Sequence, residues 1–231
     1  MQRIFKGFLI SAVVCLLCSN VSALVPLRVV VFGDSLTSGY DLQPEENYAA
    51  KLDRKLKEIG YQSVEVDNMS VAEATTSDAV EKLPAVMAKH PDIVVIEFGV
   101  NDAQRGINIP LINSNLEAVV NKLSQDRVFI ILMGIKNLPG VGYAYSGQLE
   151  GVYSGITTLH ALHFYPDALQ GINGNPDLTL ADGYHPNTKG VDMMVENTFR
   201  MVDEGLRYKW SVQQFQEYQQ QLNNSTPGAN R

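Results

Sequence analysis

A β-branched apolar run, Val29-Val30-Val31-Phe32, stops abruptly at Gly33-Asp34-Ser35. Apolar residues without a polar alternation suit a strand buried on both faces, and such strands belong to parallel sheets covered by helices. Two more runs of this kind follow: Ile93–Phe98, interrupted only by Glu97, and Val128–Met133. Between them the spacing changes to the helical period. Glu45–Ile59 sets Tyr48, Leu52, Leu56 and Ile59 on one face and ends at Gly60. Ser77–Lys89 predicts a second helix despite Pro84, with His90-Pro91 forcing an extended exit, and Leu111–Leu123 predicts a third. Val191, Met194, Val195, Phe199, Val202 and Leu206 trace a closing helix. Ser63–Val66 and the weaker Thr157–Leu162 complete five strands. The stretch from Lys136 to Gly155, rich in Gly and Tyr, reads as a long loop with one helical turn near Gln148–Tyr153. Strands alternating with helices imply a three-layer α/β/α sandwich around a five-stranded, flavodoxin-like parallel sheet.

A chain of 231 residues accommodates one such domain and little more. Its beginning reads as an address rather than as fold. Arg3 and Lys6 precede an apolar core, Phe8 to Leu17, that is short for a bilayer span, and Val21-Ser22-Ala23 offers small residues for a signal peptidase. The expected organisation is a signal peptide over 1–23, cleaved after Ala23, a domain over 24–208 and a Gln-rich tail over 209–231. In that tail Trp210, Phe215, Tyr218 and Leu222 could line one helix face, and Asn223–Arg231 reads as disordered. Both cysteines, Cys15 and Cys18, fall in the leader, so the mature chain would have no thiol for a disulfide, a nucleophile or a metal. Leu17 before Cys18 argues against lipidation. Loss of Arg3 and Lys6 takes the formal charge from −7 to −9. That acidity disfavours nucleic acid or anionic membrane as a partner, and no stable membrane insertion is expected after cleavage. The address is periplasmic or secreted.

Ser35 follows a buried parallel strand, at the carboxyl edge where open α/β sheets bind their ligands. On the residues alone it is either a helix cap or a nucleophile. A hydroxyl that attacks an ester needs a base, a carboxylate to orient that base, and donors for the oxyanion. Among the four histidines His185 is best placed, in a Gly/Pro-bounded loop with Asp182 three residues before it. The aspartate is positioned either to reach the imidazole or to close an Asx-turn. His160 and His163 alternate with apolar residues and read as core or edge side chains; His90 reads as a cation at a helix C-terminus. Gly33-Asp34-Ser35 lacks the glycine spacing of a nucleotide loop, so no nucleotide is called for, and no metal is expected.

Gly33-Asp34-Ser35-Leu36, Gly99-Val100-Asn101-Asp102 and Asp182-Gly183-Tyr184-His185-Pro186-Asn187 resemble the first, third and fifth blocks of the GDSL, or SGNH, hydrolases. The resemblance runs from about Val29 to Phe199. It is nearest the bacterial exported thioesterase/lysophospholipase/arylesterase branch, to which Asn101–Gly106 and Leu138-Pro139 also point. It implies Ser35 as nucleophile, His185 as general base and Asp182 as its orienting carboxylate. Asn101 and the Ser35 N–H would be oxyanion donors. The second block should carry a glycine whose N–H is a further donor, and here that place holds Glu73, whose side chain is expected to turn to solvent. Asp34 is expected to hold loop N–H groups and Asp102 to support the turn after Asn101; the alternative is that both are plain turn carboxylates. Small acyl esters, thioesters or lysophospholipids are the implied substrates, cleaved through an acyl-enzyme without cofactor. Leu138, Val141, Tyr143 and Tyr145 either line an acyl groove or form a surface loop. Competing readings are a carbohydrate O-acetylesterase and a non-catalytic binding protein on the same scaffold.

Overall fold

The computed structural model describes residues 25–225, with side chains through 222. The proposed leader, residues 1–23, and residues 226–231 of the tail lie outside the described residues. In chain order the elements are β1 (Arg28–Gly33), α1 (Ser35–Ser38), α2 (Tyr48–Glu58), β2 (Glu65–Asn68), α3 (Thr76–Met87) and β3 (Ile93–Glu97). There follow α4 (Val100–Gln104), α5 (Ile109–Gln125), β4 (Phe129–Met133), α6 (Tyr143–Leu159), β5 (His163–Tyr165) and α7 (Thr188–Ser225).

All four strand pairings are parallel, in the order β2-β1-β3-β4-β5, the flavodoxin-like arrangement. The three apolar runs are its centre, which explains why they need no polar alternation: Val29–Phe32 and Ile93–Ile96 are fully buried. Helices α2 and α7 pack together on one face, and α3, α5 and α6 on the other. Tyr48 of α2 bonds to Thr198 of α7 at 2.6 Å inside the first layer. The chain turns to opposite sides of the sheet between β1 and β3. Their carboxyl ends therefore border a crevice, the place where sheets of this order bind ligands.

Several expectations are corrected. The stretch read as a loop forms the 17-residue helix α6. Ser146, Leu149, Val152, Tyr153 and Ile156 make its buried stripe. Gly147, Gly151 and Gly155 recur every fourth residue, and each has open space where a side chain would stand. Glycine weakens a helix by about 1 kcal/mol relative to alanine, and here burial of the opposite stripe overrides that preference. The predicted fifth strand at Thr157–Leu162 is consequently wrong. Thr157 and Thr158 are helical, their hydroxyls donating to the carbonyls of Tyr153 and Ser154, and the true edge strand begins at His163, in register with Ile131.

The second strand starts later than expected, at Glu65, and runs through Asn68. At the C-terminus the closing helix and the tail helix are one element, 38 residues without a break. Residues 223–225, read as disordered, are part of it. Trp210 packs on Tyr61 with ring centroids 5.0 Å apart, whereas Phe215 and Tyr218 are exposed. No helix among the described residues is long and apolar enough to cross a membrane.

Candidate active site

Ser35 is the first residue of α1, directly beyond β1, and is almost fully buried. Asp34 caps that short helix by accepting the Leu36 N–H at 3.2 Å. Glycine is required just before it. A Cβ on Gly33 would stand 2.3 Å from Thr37 Oγ1 and 2.6 Å from the Glu97 carbonyl oxygen, so no larger residue fits between the strand end and the turn.

His185 arrives from the far end of the chain. Its loop is fastened by an antiparallel bridge between Thr179 and Pro186 and by the Leu180 N–H donating to the His185 carbonyl at 2.8 Å. The ring Nε2 lies 2.9 Å from Ser35 Oγ, and Nδ1 lies 2.6 Å from Asp182 Oδ2. The other Asp182 oxygen accepts the N–H groups of Tyr184 and His185 at 3.1 and 3.0 Å. The two sequence readings of Asp182 are thus both realised: one oxygen closes the Asx-turn and the second holds the imidazole. Burial alone would raise the Asp182 carboxyl, but the bonds from the His185 ring and the two amides outweigh it and hold it below the ordinary aspartate range.

The Gly99–Asn101 corner supplies the opposite wall. Gly99 has φ 134°, a conformation closed to other residues, and a Cβ there would meet the Tyr153 hydroxyl at 2.3 Å. The turn delivers Asn101, nearly buried, whose side-chain N–H₂ donates to the Ala74 carbonyl at 2.9 Å. An amide has two hydrogens, so one is anchored and one stays available. Asp34 does hold loop N–H groups: its second oxygen accepts from Gly99 and Val100, both at 3.3 Å. Asp102 supports the corner from outside, accepting from the Thr76 N–H and hydroxyl at 2.9 and 2.6 Å. Burial raises its carboxyl against those bonds.

Glu73 adopts φ 64°, the left-handed conformation that glycine favours. Its side chain is 80% exposed and points toward Arg105 at 4.0 Å, outward as expected. Arg105 also donates to the Glu73 carbonyl at 3.0 Å, fixing the peptide from outside. His90 lies three residues past the end of α3, exposed and at φ 52°, and His163 stacks on Phe129 at 4.4 Å, so neither nears Ser35. Leu138, Val141 and Tyr143 border a cleft of about 460 Å³ beyond the carboxyl end of β4, together with Asn137, Pro139 and Gly140. Tyr145 does not line it; its hydroxyl donates to the Ile107 carbonyl at 2.6 Å.

Sequence reasoning missed three contacts of the imidazole loop. Tyr40 stacks on the His185 ring at 4.4 Å, Tyr184 lies against it at 4.2 Å, and Gln104 donates to the Tyr184 hydroxyl at 2.5 Å. Nothing in the local pattern couples Gln104 to a residue 80 positions away. Among the described residues no cluster of His, Cys, Asp and Glu is arranged to hold a metal ion.

Sheet order and rim together put the molecule in the class of ester hydrolases built on a flavodoxin-like α/β sheet. The chain belongs to the GDSL-like Lipase/Acylhydrolase family, whose profile matches residues 31–193. It is 28% identical over 186 residues to an arylesterase of Vibrio mimicus, covering 80% of this chain and 92% of that protein. It is 29% identical over 172 residues to esterase TesA of Pseudomonas aeruginosa, covering 74% and 85%. The crystal structure of the psychrotrophic esterase EstA from Pseudoalteromonas sp., inhibited by monoethylphosphonate, superposes with a TM-score of 0.72 at 27% identity, covering 78% of this chain and 98% of that one. The protein is therefore a hydrolase of ester bonds, with small esters as its substrate class.

Proposed function

We propose that the protein cleaves small carboxylic esters and thioesters, with aryl esters, acyl-CoA and lysophospholipids as the substrate range, through an acyl-enzyme on Ser35. In this reading Ser35 Oγ attacks the acyl carbon while His185 Nε2 takes its proton. The imidazolium returns that proton to the departing alcohol or thiol. Water, deprotonated by the same nitrogen, then releases the acid and restores Ser35. Asp182 keeps the ring in the tautomer with hydrogen on Nδ1 and stabilises the imidazolium. The Ser35 and Glu73 N–H groups and the free Asn101 amide hydrogen would meet the oxyanion. The observation that carries the reading is the unbroken chain from Ser35 Oγ through His185 to Asp182, at 2.9 and 2.6 Å.

Support for an acyl chain of some length comes from the cleft at Leu138, Val141 and Tyr143, on the same edge of the sheet as Ser35. Export to the periplasm or beyond rests on residues 1–23, with residues 24–208 as the working domain and 209–231 as the tail. Two measurements test the function. A fluorophosphonate should label the wild type stoichiometrically and leave Ser35→Ala unlabelled; equal labelling of both would remove Ser35 from the chemistry. A panel of p-nitrophenyl esters, acyl-CoA, lysophospholipid and acetylated sugar should show turnover beyond acetate. Activity confined to acetylated sugar would replace the acyl-chain reading with that of a polysaccharide deacetylase.

A further inference from the structure

Under the nucleophile lie two carboxyl groups that ester cleavage does not use. Asp34 and Glu97 are both fully buried, on adjacent strand ends, with Gly33 paired to Glu97 and the Asp34 N–H donating to the Glu97 carbonyl at 3.1 Å. Their side chains lie within hydrogen-bonding reach of each other. No Lys, Arg or His pairs with either among the described residues. Two carboxylates cannot both stay ionised at such a distance in a dry interior, so the pair must keep a proton.

The surroundings decide which residue carries it. Asp34 accepts three backbone N–H groups, from Leu36, Gly99 and Val100, and these favour the charged form. Glu97 has less: the Asp34 amide is the one backbone N–H that favours its charge, and that amide already donates to the Glu97 carbonyl at 3.1 Å. Its Oε2 faces Thr37 Oγ1 at 3.3 Å, but that hydroxyl has a single hydrogen and a nearer acceptor, Ser70 Oγ, at 2.9 Å. Glu97 Oε1 is buried with no partner for an acceptor. A carboxyl that keeps its hydrogen has a donor to offer the Asp34 side chain, which an ionised Glu97 lacks.

We propose that Glu97 is a positioning residue, held as the neutral acid and donating its hydrogen to the Asp34 carboxylate. This bond ties the end of β3 to the loop of Ser35. Because Asp34 in turn holds the Gly99 and Val100 amides, it sets the distance between Ser35 and Asn101. The inference rests on Ser35 and Asn101 being the reacting pair. Burial pushes Asp34 up to about 7 and Glu97 well above the ordinary carboxylate range, the charge on Asp34 adding to the second shift. The other titratable groups that face the pair include Tyr153 of α6, whose hydroxyl donates to the Phe98 carbonyl at 2.8 Å, Tyr184 of the histidine loop, and Asp102 of α4, held by Thr76. None of these carries a positive charge.

A proton kept by the fold but released by the unfolded chain makes stability fall as pH rises. The window opens near the ordinary carboxylate value of about 4 and extends through neutrality, until the folded group ionises. The experiment follows the thermal midpoint from pH 5 to 9, with kcat and KM for a p-nitrophenyl ester, in wild type, Glu97→Gln and Glu97→Ala. Glutamine replaces the O–H donor by N–H and has nothing to ionise. Its midpoint should fall less steeply with pH, by about one proton per molecule, and its neutral kcat should stay within about threefold of wild type, a change of under 1 kcal/mol in barrier. Alanine removes the donor and should lower kcat at least tenfold with little change in KM.

Parallel pH slopes in wild type and Glu97→Gln would overturn the proposal. So would a glutamine variant that fails to fold, or one as impaired as alanine. The slopes involve no turnover, so they separate this inference from the identity of the nucleophile, which Ser35→Ala tests alone.

Discussion

Asp34 and Asp182 are both aspartates that accept backbone N–H groups, Asp182 from its own loop and Asp34 from its own loop and the Gly99–Val100 corner. Asp34 is fully buried and pushed up to about 7, mainly because burial penalises its charge. Asp182 has 35% of its side chain exposed and lies below the ordinary range. The first belongs to a loop clamped between two central strands and floored by Phe32 and Leu36, both buried. The second belongs to a surface loop fastened by turns and one bridge. In the nucleophile loop, holding the backbone in place and holding the chemistry in place are a single task. In the histidine loop they separate further, because Asp182 is partly exposed and solvent takes up what a substitution there leaves unpaired. Changes on the nucleophile side should therefore register in both stability and rate, and changes on the histidine side mainly in rate.

The sharpest way to break this contrast is His185→Ala. In the proposed mechanism His185 is the base, so its loss should lower kcat by about 10⁴–10⁶. The thermal midpoint should fall only modestly: the ring is buried and bonded to Ser35 and Asp182, but it packs on Tyr40 and Tyr184 and is not part of the hydrophobic core. Both follow from ester hydrolysis and a melting curve on one preparation. A variant that loses its fold along with its rate would show that the histidine loop is as integral as the nucleophile loop.

Asn101→Ala probes the buried side and should move both readouts. Its free hydrogen is the expected oxyanion donor, so kcat should fall by about 10²–10³ with KM little changed. The anchored hydrogen holds the Ala74 carbonyl at 2.9 Å in a dry setting. Removing it leaves that acceptor without its side-chain donor and should lower stability by about 1–3 kcal/mol, read from denaturant unfolding. If rate drops with no change in stability, the two tasks are separable here as well.

The same contrast governs what could be read from sequence. β1, β3 and β4 were legible because a strand buried on both faces has no polar alternation to blur it. The edge strand β5, half-buried over three residues, has no comparable signature. α6 was hidden because Gly147, Gly151 and Gly155 occupy its open face and lower its intrinsic preference, although Leu149, Val152 and Ile156 kept the helical spacing. Ser35, Asn101, Asp182 and His185 were placed by three short blocks resembling a known family, and the geometry brings Ser35, His185 and Asp182 into one chain. Glu97 could have been singled out as the one charge inside a fully apolar strand, since such a charge requires a partner. Its partner could not, because the pairing depends on the register of Gly33 against Glu97. Gln104 and Tyr184 meet only through the fold.

Glu73→Gly carries the smallest expected effect and tests whether the nucleophile side tolerates an irregular residue at its rim. With φ 64° the glutamate already occupies the backbone conformation a glycine would choose, so its N–H is held where glycine would hold it. Relief of the left-handed strain is worth about 1–2 kcal/mol. The added freedom of glycine in the unfolded chain takes back roughly 0.5–1 kcal/mol. The carboxylate contributes little against this, being 80% exposed and 4.0 Å from Arg105. A net gain of about 1 kcal/mol or less should appear in denaturant unfolding, with kcat within about twofold of wild type. A clear rise in kcat would instead mean that the Cβ displaces the amide from the oxyanion. The rim beside Asn101 would then be tuned for something other than speed, and the rigidity ascribed to the nucleophile side would stop short of its second donor.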